Sequence, residues 1–421
     1  AGTSAARAST GGADRSSALT VRTGHGASRT TRSAVLPMRT RATPVRPWVP
    51  MTIRSIACRS TALPISKYGV PVARTPSAYD NTQYYGRERL SYMSGLGGPG
   101  SAIAVDGPYV YHAFGGYADG DSAGFGLRKY NTDQNLEWTK FYNHPKVNMA
   151  FYVGNMTRDA AGNFYLVGSQ RIPDPAASGP GVLLFGKNSW IAKLNPAGDL
   201  VWSYDSDASG SNMMDELYDV AVDGSRLSEV GVTSTSSSGM NILAQKYDLT
   251  PSTYPALVRS YTENGSGNGD DFGYGVALGT GAVYLAGTMS NSNKDILVRA
   301  LDKTAFTASG ASITFDSGFG DDKGYDLAVT TTTPASVYVA GLTAGAGAGA
   351  NAALFKYTLA GAFSWARYFN GKAGLDDAYY AVKLNGSGVT VAGSESTIGQ
   401  GRDGVYRKFD HAGTELWSRG F

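Results

Sequence analysis

A short pattern of glycine, paired acids, an aromatic residue and an apolar strand recurs along the chain, and it constrains the fold more than any other feature. It is written "GNGDDFGYGVAL" from Gly267, "GFGDDKGYDLAV" from Gly318 and "AGLDDAYYAVKL" from Ala373, with a weaker copy, "SNMMDELYDVAV", from Ser211. Repetition at a fixed period is typical of architectures in which one unit cannot bury its own faces and stacks against its neighbours.

Each copy of the pattern opens a unit of four short strands. The first strand follows the acidic turn, and the second ends in a glycine, as in "VYLAG" at 283–287. A third strand such as "ILVRALD" at 296–302 comes next, and the fourth often carries aromatic residues, as in "FSWARYF" at 363–369. Alternating apolar residues between tight turns predict antiparallel hairpins.

The glycines that end the second strands mark six units, spaced 53, 63, 56, 54 and 52 residues apart. These marker glycines are Gly115, Gly168, Gly231, Gly287, Gly341 and Gly393. A parallel β-helix is the rival architecture, but its coils are shorter and do not need four strands per period. We therefore predict an all-β fold, a β-propeller of six four-stranded blades over residues 101–421.

The repeat, "GxGDDxGYxxAVxxxGxVYVAGxT…DxLVxKYD", resembles that of the bacterial SBBP-type β-propeller family. The resemblance covers residues 101–421, and the acidic turn and the "VYVAG" strand carry it. The first two blades lack the paired acids, so a role of those acids is not shared by every blade. The resemblance implies a secreted or surface-exposed bacterial propeller and no particular reaction.

The segment before the first blade matches part of a blade. "YDNTQYYGRERLSYMSGLGGPG" from Tyr79 parallels "YDLTPSTYPALVRSYTENGSGNG" from Tyr247, which holds the end of a third strand, a fourth strand and a turn. Residues 70–94 are therefore predicted to form the outer half of a seventh blade, or a strap that closes the ring. Either would cover a sheet edge that an open propeller leaves exposed.

The remaining N-terminal residues, 1–69, form a basic arm without this pattern. Residues 1–79 carry a net charge of +11 and the rest of the chain carries −8. The bias of the arm towards Arg, Thr, Ser and Pro is typical of a disordered tail or of out-of-frame translation. A third reading is an extended functional segment, ordered by contacts with an acidic surface. The chain thus divides into an arm (1–69), a closing segment (70–100) and the propeller (101–421).

Composition excludes several classes of protein. The single cysteine, Cys58, allows neither an intramolecular disulfide nor a cysteine zinc site, and no apolar run is long enough to span a membrane. The four histidines show no metal-ligand or triad spacing, and phosphate-binding and dinucleotide-binding motifs are absent. The acidic body argues against nucleic-acid binding. We predict no catalytic residues and no organic cofactor.

One loop has the spacing of a calcium site. "DSDASGSNMMDE", from Asp205 to Glu216, is close to the pattern of an EF-type loop. Side chains at alternate positions converge as the backbone curls, a main-chain carbonyl adds a ligand, and a final glutamate closes the sphere. The predicted calcium ligands are Asp205, Asp207, Ser209, Ser211 and Glu216. The alternative is a plain Asp/Ser/Gly turn.

Two recurring residue types have structural explanations. Because the paired acids repeat from blade to blade, we expect them to cap turns and to accept backbone N–H bonds between blades. Recurrent fourth-strand tryptophans (Trp138, Trp365 and Trp417, with Trp202 close by) are expected to pack between blades rather than to stack on a glycan.

Three functions remain open on the sequence. The first is a non-enzymatic, secreted or cell-surface propeller that serves as a structural or binding scaffold, with a protein or glycan ligand on its loops. The second is a self-assembling filament or surface-layer subunit, in which the basic arm docks on a neighbour. The third is an enzyme acting on extracellular polysaccharides, with Asp271, Asp322 and Asp377 around a funnel. Hydrolysis needs two carboxyl groups in different environments, whereas these acids recur in equivalent ones.

Overall fold

The computed structural model describes most of the chain from Ser101 onward. The described residues are 101–117, 123–143, 151–179, 182–206, 214–235, 239–251, 254–331, 334–347, 349–398 and 401–420. The basic arm (1–69) and the predicted closing segment (70–100) lie outside them. Every regular element in the described part is a β-strand, and none of the described residues form a helix that could cross a membrane.

The strands form six sheets of four. Blade 1 contains β1 (Ser101–Asp106), β2 (Tyr109–Tyr117), β3 (Ala123–Tyr130) and β4 (Leu136–Asn143). Blade 2 contains β5 (Phe151–Arg158), β6 (Phe164–Gly179), β7 (Val182–Leu194) and β8 (Leu200–Ser206). Blade 3 contains β9 (Asp215–Asp223), β10 (Arg226–Thr235), β11 (Gly239–Asp248) and β12 (Ala256–Glu263).

The remaining three blades repeat this arrangement. Blade 4 contains β13 (Phe272–Leu278), β14 (Ala282–Ser290), β15 (Lys294–Asp302) and β16 (Ala308–Phe315). Blade 5 contains β17 (Lys323–Val329), β18 (Ser336–Ala344), β19 (Ala350–Thr358) and β20 (Phe363–Phe369). Blade 6 contains β21 (Ala378–Asn385), β22 (Gly388–Thr397), β23 (Gly401–Phe409) and β24 (Glu415–Gly420).

Within each blade the strands pair antiparallel in chain order, and the innermost strands of successive blades pack on one another from β1 and β5 through to β17 and β21. The prediction of a six-bladed propeller is thereby confirmed. The longest marker spacing, between blades 2 and 3, has a simple cause: β6 and β7 are 16 and 13 residues long and extend their hairpin beyond those of the other blades.

The hydrophobic core lies between the blades. At the junction of blades 4 and 5, Tyr284, Ala286 and Val298 pack against Leu327 and Val339. Strand alternation explains this arrangement, because one set of side chains on a blade faces the next blade and the other set faces the preceding one. Burying a side chain of this size is worth about 1.5–3 kcal/mol, so the junctions are a main source of stability.

The marker glycines lie where two strands approach too closely for a side chain. A Cβ on Gly287 would lie 2.0 Å from the carbonyl oxygen of Phe272 on the neighbouring strand. The markers of blades 2, 3, 5 and 6 show the same approach. Gly115 differs, because a Cβ there would meet the carbonyl oxygen of Phe151 in the next blade. The recurrent glycine is therefore required by the backbone geometry of the first two strands.

Candidate functional site at the inner edge of the blades

In blades 2 to 6 a bulge in the innermost strand places one residue of each blade at the inner edge of the propeller. In blade 4, Gly273 pairs with Gly287 and Gly275 pairs with Ala286, so Tyr274 has no partner on β14. Blades 2, 3, 5 and 6 carry the same irregularity. A bulge of this kind re-aims a side chain, and such bulges are frequent next to functional sites.

The bulged residues of blades 3 to 6 form a continuous aromatic surface, which we call the tyrosine arc. It consists of Tyr218, Tyr274, Tyr325 and Tyr380. Successive ring centroids lie 5.4, 5.4 and 5.2 Å apart, with interplanar angles of 40° to 53°. All four side chains are half-buried. Desolvation raises the pKa of Tyr218, Tyr274 and Tyr325, so their hydroxyl groups remain protonated and can donate hydrogen bonds.

Two carboxylates follow the bulge directly, and each holds two blades together. Asp219 accepts hydrogen bonds from the main-chain N–H of Val220 at Oδ1 (2.8 Å) and from that of Val276 in the next blade at Oδ2 (2.7 Å). Asp326 makes the equivalent pair of bonds with Leu327 and Val382, both 2.8 Å long.

The next blade, whose N–H donates to the aspartate, has a small residue at the position equivalent to that aspartate. Gly275 in blade 4 and Ala381 in blade 6 have no side-chain acceptor, so the carboxylate of the preceding blade supplies one. In blade 2 the equivalent residue is Asn155, whose Nδ2 donates to Asp219 Oδ1 (2.6 Å).

Lys383 completes a group of charges with Asp219 and Asp326, which we call the channel cluster. Burial, reinforced by the negative charge of Asp326, raises the pKa of Asp219 to about 7. Burial also raises the pKa of Asp326. The carboxylates of Asp326 and Asp219 raise the pKa of Lys383, whose side chain is exposed at the inner edge of blade 6. At neutral pH the cluster therefore holds the Lys383 ammonium group beside two carboxyl groups whose pKa values are both raised by burial.

The paired acids of the repeat do not lie in this cluster. In blade 5, the main-chain N–H of Asp322 donates to the carbonyl of Lys294 in blade 4, and Oδ1 of Asp321 accepts from the N–H of Lys294 (3.3 Å). The carboxylate of Asp322 accepts N–H bonds from Ser317 (2.6 Å) and Ala344 (2.9 Å). The two acids thus fasten a third strand of one blade to the turn that opens the next.

The other two pairs repeat this geometry. Asp271 accepts N–H bonds from Gly265 and Ser290, and Asp377 accepts N–H bonds from Gly371 and Ser396. Their neighbours, Asp270 and Asp376, accept from the third strand of the preceding blade. The prediction that the acids cap turns and accept backbone N–H bonds between blades is thus confirmed, with the two roles divided: the first acid of each pair accepts from the preceding blade, and the second accepts within the turn and the second strand of its own blade. Asp271, Asp322 and Asp377, the acids of the enzyme hypothesis, all have the second of these roles.

The fourth-strand tryptophans also pack between blades. A Cβ on Gly198, in a turn of blade 2, would meet the Trp138 ring of blade 1. The Trp365 ring of blade 5 lies in the same way against Gly413 in blade 6, and its Nε1 donates to the carbonyl of His411 (3.4 Å). The expected packing role is confirmed for these two residues.

The predicted calcium loop is described only at its ends. Asp205 lies in β8, and Glu216 lies in β9, where its carboxylate pairs with Lys187 Nζ (2.6 Å). Asp207, Ser209 and Ser211 lie outside the described residues. Among the residues that are described, no cluster of three or more metal-binding side chains occurs. The calcium loop stays a prediction.

Sequence reasoning missed the tyrosine arc and the channel cluster. Their signal is the pair of residues after the acidic turn, "YD" at 218–219 and 325–326 and "YG" at 274–275. Strict alternation along a strand would place the two members of each pair on opposite faces of the sheet, one on each face. Only the bulge brings the first member to the inner edge, and nothing in the residue pattern alone requires that bulge.

No protein-family model matches the chain. No curated protein matches it either. Similar solved structures include a protein of unknown function from Dyadobacter fermentans, which is 10% identical, with coverage of 76% of this chain and 82% of that one and a TM-score of 0.40.

Two further solved structures are glycosidases. An α-L-arabinofuranosidase from Lactobacillus brevis is 10% identical, with coverage of 67% of this chain and 95% of that one and a TM-score of 0.34. A GH43 β-xylosidase/α-arabinofuranosidase from a compost microbial metagenome is 9% identical, with coverage of 63% and 94% and a TM-score of 0.34. At these values the likeness carries no functional inference.

Proposed function

We propose that the chain is a non-enzymatic binding scaffold, secreted or displayed at the cell surface, and that its ligand is a glycan that contacts the tyrosine arc. The tyrosine arc is the observation that carries this proposal. Four adjacent, half-buried rings offer apolar faces together with hydroxyl donors, which suits a ligand that is apolar on one side and polar at its edges.

The roles of the acids support a binding function over hydrolysis. Each second acid of the repeat accepts two main-chain N–H bonds, and so do Asp219 and Asp326. Both oxygens of such a carboxylate are occupied by main-chain N–H groups. It is therefore poorly suited to exchange a proton with a substrate. The resemblance of the repeat to bacterial SBBP-type propellers supports the extracellular part of the proposal.

One observation favours a second function, hydrolysis of an extracellular polysaccharide. The pKa of Asp219 is raised to about 7. The negative charge of Asp326 contributes to this increase, and the two carboxylates in turn raise the pKa of Lys383. A protonated carboxyl group near an ionised one is the arrangement that glycosidases use. If the chain were an enzyme, we would expect these two aspartates, and not the paired acids of the repeat, to carry the reaction.

The test is a single set of soluble polysaccharides that is assayed for both activities. Affinity electrophoresis measures binding, and new reducing ends measure hydrolysis. We expect binding without new reducing ends, and we expect Tyr274→Ala and Tyr325→Ala each to weaken binding by roughly tenfold, as loss of a central aromatic contact does. Tyr368→Ala, at an exposed ring on β20 away from the arc, is the matched control and should bind like the wild type.

The result distinguishes the two functions. Release of reducing ends that Asp219→Asn or Asp326→Asn abolishes would establish the enzyme and overturn the scaffold. Binding that is equal in the arc variants and the Tyr368 control would place the ligand elsewhere. If no polysaccharide binds while a protein ligand does, the glycan part of the proposal is wrong.

A further inference from the structure

One face of blade 1 is exposed where every other blade is covered. Ile103 on β1 is 62% exposed. The residues at the same position in the other blades, counted from the turn between the first and second strands, are 0% to 6% exposed. Those residues are Met156, Val220, Val276, Leu327 and Val382. Val110 on β2 is 36% exposed, against 0% to 1% for its five equivalents. In blades 2 to 6 these positions are covered by the preceding blade.

Blade 6 shows the complementary defect on its opposite face. Tyr406 on β23 is 45% exposed, whereas its equivalents are fully buried against the following blade. Those equivalents are Leu127, Ile191, Ala244, Val298 and Leu354. Trp417, on the adjacent β24, is exposed as well. Among the described strands, β21 does not pack on β1 as the other innermost strands pack on their neighbours.

We propose that residues 70–100 of this same chain dock on the exposed face of blade 1 as the outer strands of a seventh sheet. These residues end directly before Ser101, where β1 begins, so they occupy the place in the chain that the fourth strand and turn of a preceding blade occupy elsewhere. Exposed contiguous apolar surface of this kind marks an interaction site.

The match with blade 3 says what the segment would contact. Tyr92 aligns with Tyr261 of β12 when the two turns that follow are aligned. Tyr261 packs against the core between blades 3 and 4, which contains Val276 and Val283. Those two residues are the equivalents of Ile103 and Val110. Tyr92 is therefore the residue of the segment that we expect to lie over the exposed face of blade 1.

Thiol labelling of the full chain tests this inference. Cys58→Ser removes the only native thiol, and Ile103→Cys is then added and labelled with a maleimide under native conditions. If the segment covers the face, we expect labelling slower by roughly tenfold or more than at Leu257→Cys, an exposed position on β12, and close to that at the buried Val276→Cys. Adding Tyr92→Asp should raise the rate at Ile103→Cys and leave the rates at the two control positions unchanged.

Each other outcome overturns the inference. Fast labelling of Ile103→Cys in the chain with Tyr92 intact would show that the face is open. Slow labelling that becomes fast on dilution, with a dimeric mass at high concentration, would show that a second copy covers it. Slow labelling that Tyr92→Asp leaves unchanged would assign the cover to another part of the chain.

Discussion

Glu229 is an acidic residue at a position where an apolar side chain is expected. It lies on β10 facing blade 2, where the other blades from 2 to 6 have leucine or valine. Its side chain is fully buried, and neither carboxylate oxygen has a hydrogen-bond partner among the described residues. The hydroxyl of Tyr247 donates instead to Gln245 Oε1 (3.0 Å). Burial therefore raises the pKa of Glu229 well above its usual value.

This raised pKa predicts that the stability contributed by protonated Glu229 falls as the pH rises above about 4.3. In an unfolded chain the pKa of a glutamate is about 4.3, and folding raises the pKa of Glu229 above that value. Its contribution to the free energy of unfolding is therefore complete below about pH 4.3 and declines as the pH rises towards the folded-state pKa. Glu229→Gln should therefore raise the melting temperature at pH 8 more than at pH 5, by roughly 2–4 °C for each kcal/mol of ionisation energy removed. Glu137→Gln, at a solvent-accessible ion pair, is the control; parallel pH profiles for wild type and Glu229→Gln would contradict the prediction.

Adjacent acids of one pair should differ sharply in their effect on stability. Asp322 is buried and accepts two main-chain N–H bonds, whereas its exposed neighbour Asp321 accepts one longer bond. Asp322→Ala leaves two partly buried N–H donors without their acceptor and should lower the free energy of unfolding by about 2–4 kcal/mol. Asp321→Ala should lower it by less than about 1 kcal/mol. Equal effects in chemical denaturation would show that the hydrogen bonds of Asp322 do not stabilise the junction.

At the scale of the strand, the marker glycine is the position least able to change. Gly287→Ala would place a Cβ 2.0 Å from the Phe272 carbonyl oxygen, so the two strands must separate. We expect a loss of about 3 kcal/mol in the free energy of unfolding. Gly281→Ala, in the turn of the same hairpin with nothing within 4 Å of the new Cβ, is the matched control and should be close to neutral. A neutral Gly287→Ala would mean that the close approach is not needed.

The same glycines explain how much of the fold is predictable from sequence. A backbone approach that excludes every side chain leaves a visible mark, so Gly168, Gly287 and their equivalents give the number of blades and their period. The paired acids are visible for the same reason, since main-chain donors require an acceptor at a fixed place. The bulge leaves no such mark, because the residues around Tyr274 satisfy an ordinary strand as well. The candidate site therefore depends on a backbone irregularity that the residue pattern does not specify.

The division of charge is a property of the whole molecule. Residues 1–79 carry +11 and the remainder carries −8, so a basic arm of one copy would be attracted to the acidic body of another. If residues 1–69 mediate association, the sedimentation coefficient of the full chain should fall as salt is raised from about 0.01 M to 0.5 M, because the Debye length shortens. A chain that begins at residue 70 should sediment as a monomer throughout. Identical behaviour of the two chains would show that the arm plays no part in association.

The carboxylates of Asp219 and Asp326 make neighbouring blades unequal partners. Each aspartate serves two blades, and the second blade of each couple, with Gly275 or Ala381, has no acceptor of its own. Blade 4 therefore depends on blade 3, and blade 6 depends on blade 5. An insertion or exchange of one blade would leave a main-chain N–H without its acceptor or add a second buried carboxylate, whereas a transfer of both members of a couple would preserve the bonds that Asp219 and Asp326 accept from the second blade. For these blades the smallest unit that could be exchanged without losing such an acceptor is therefore a couple and not a single blade.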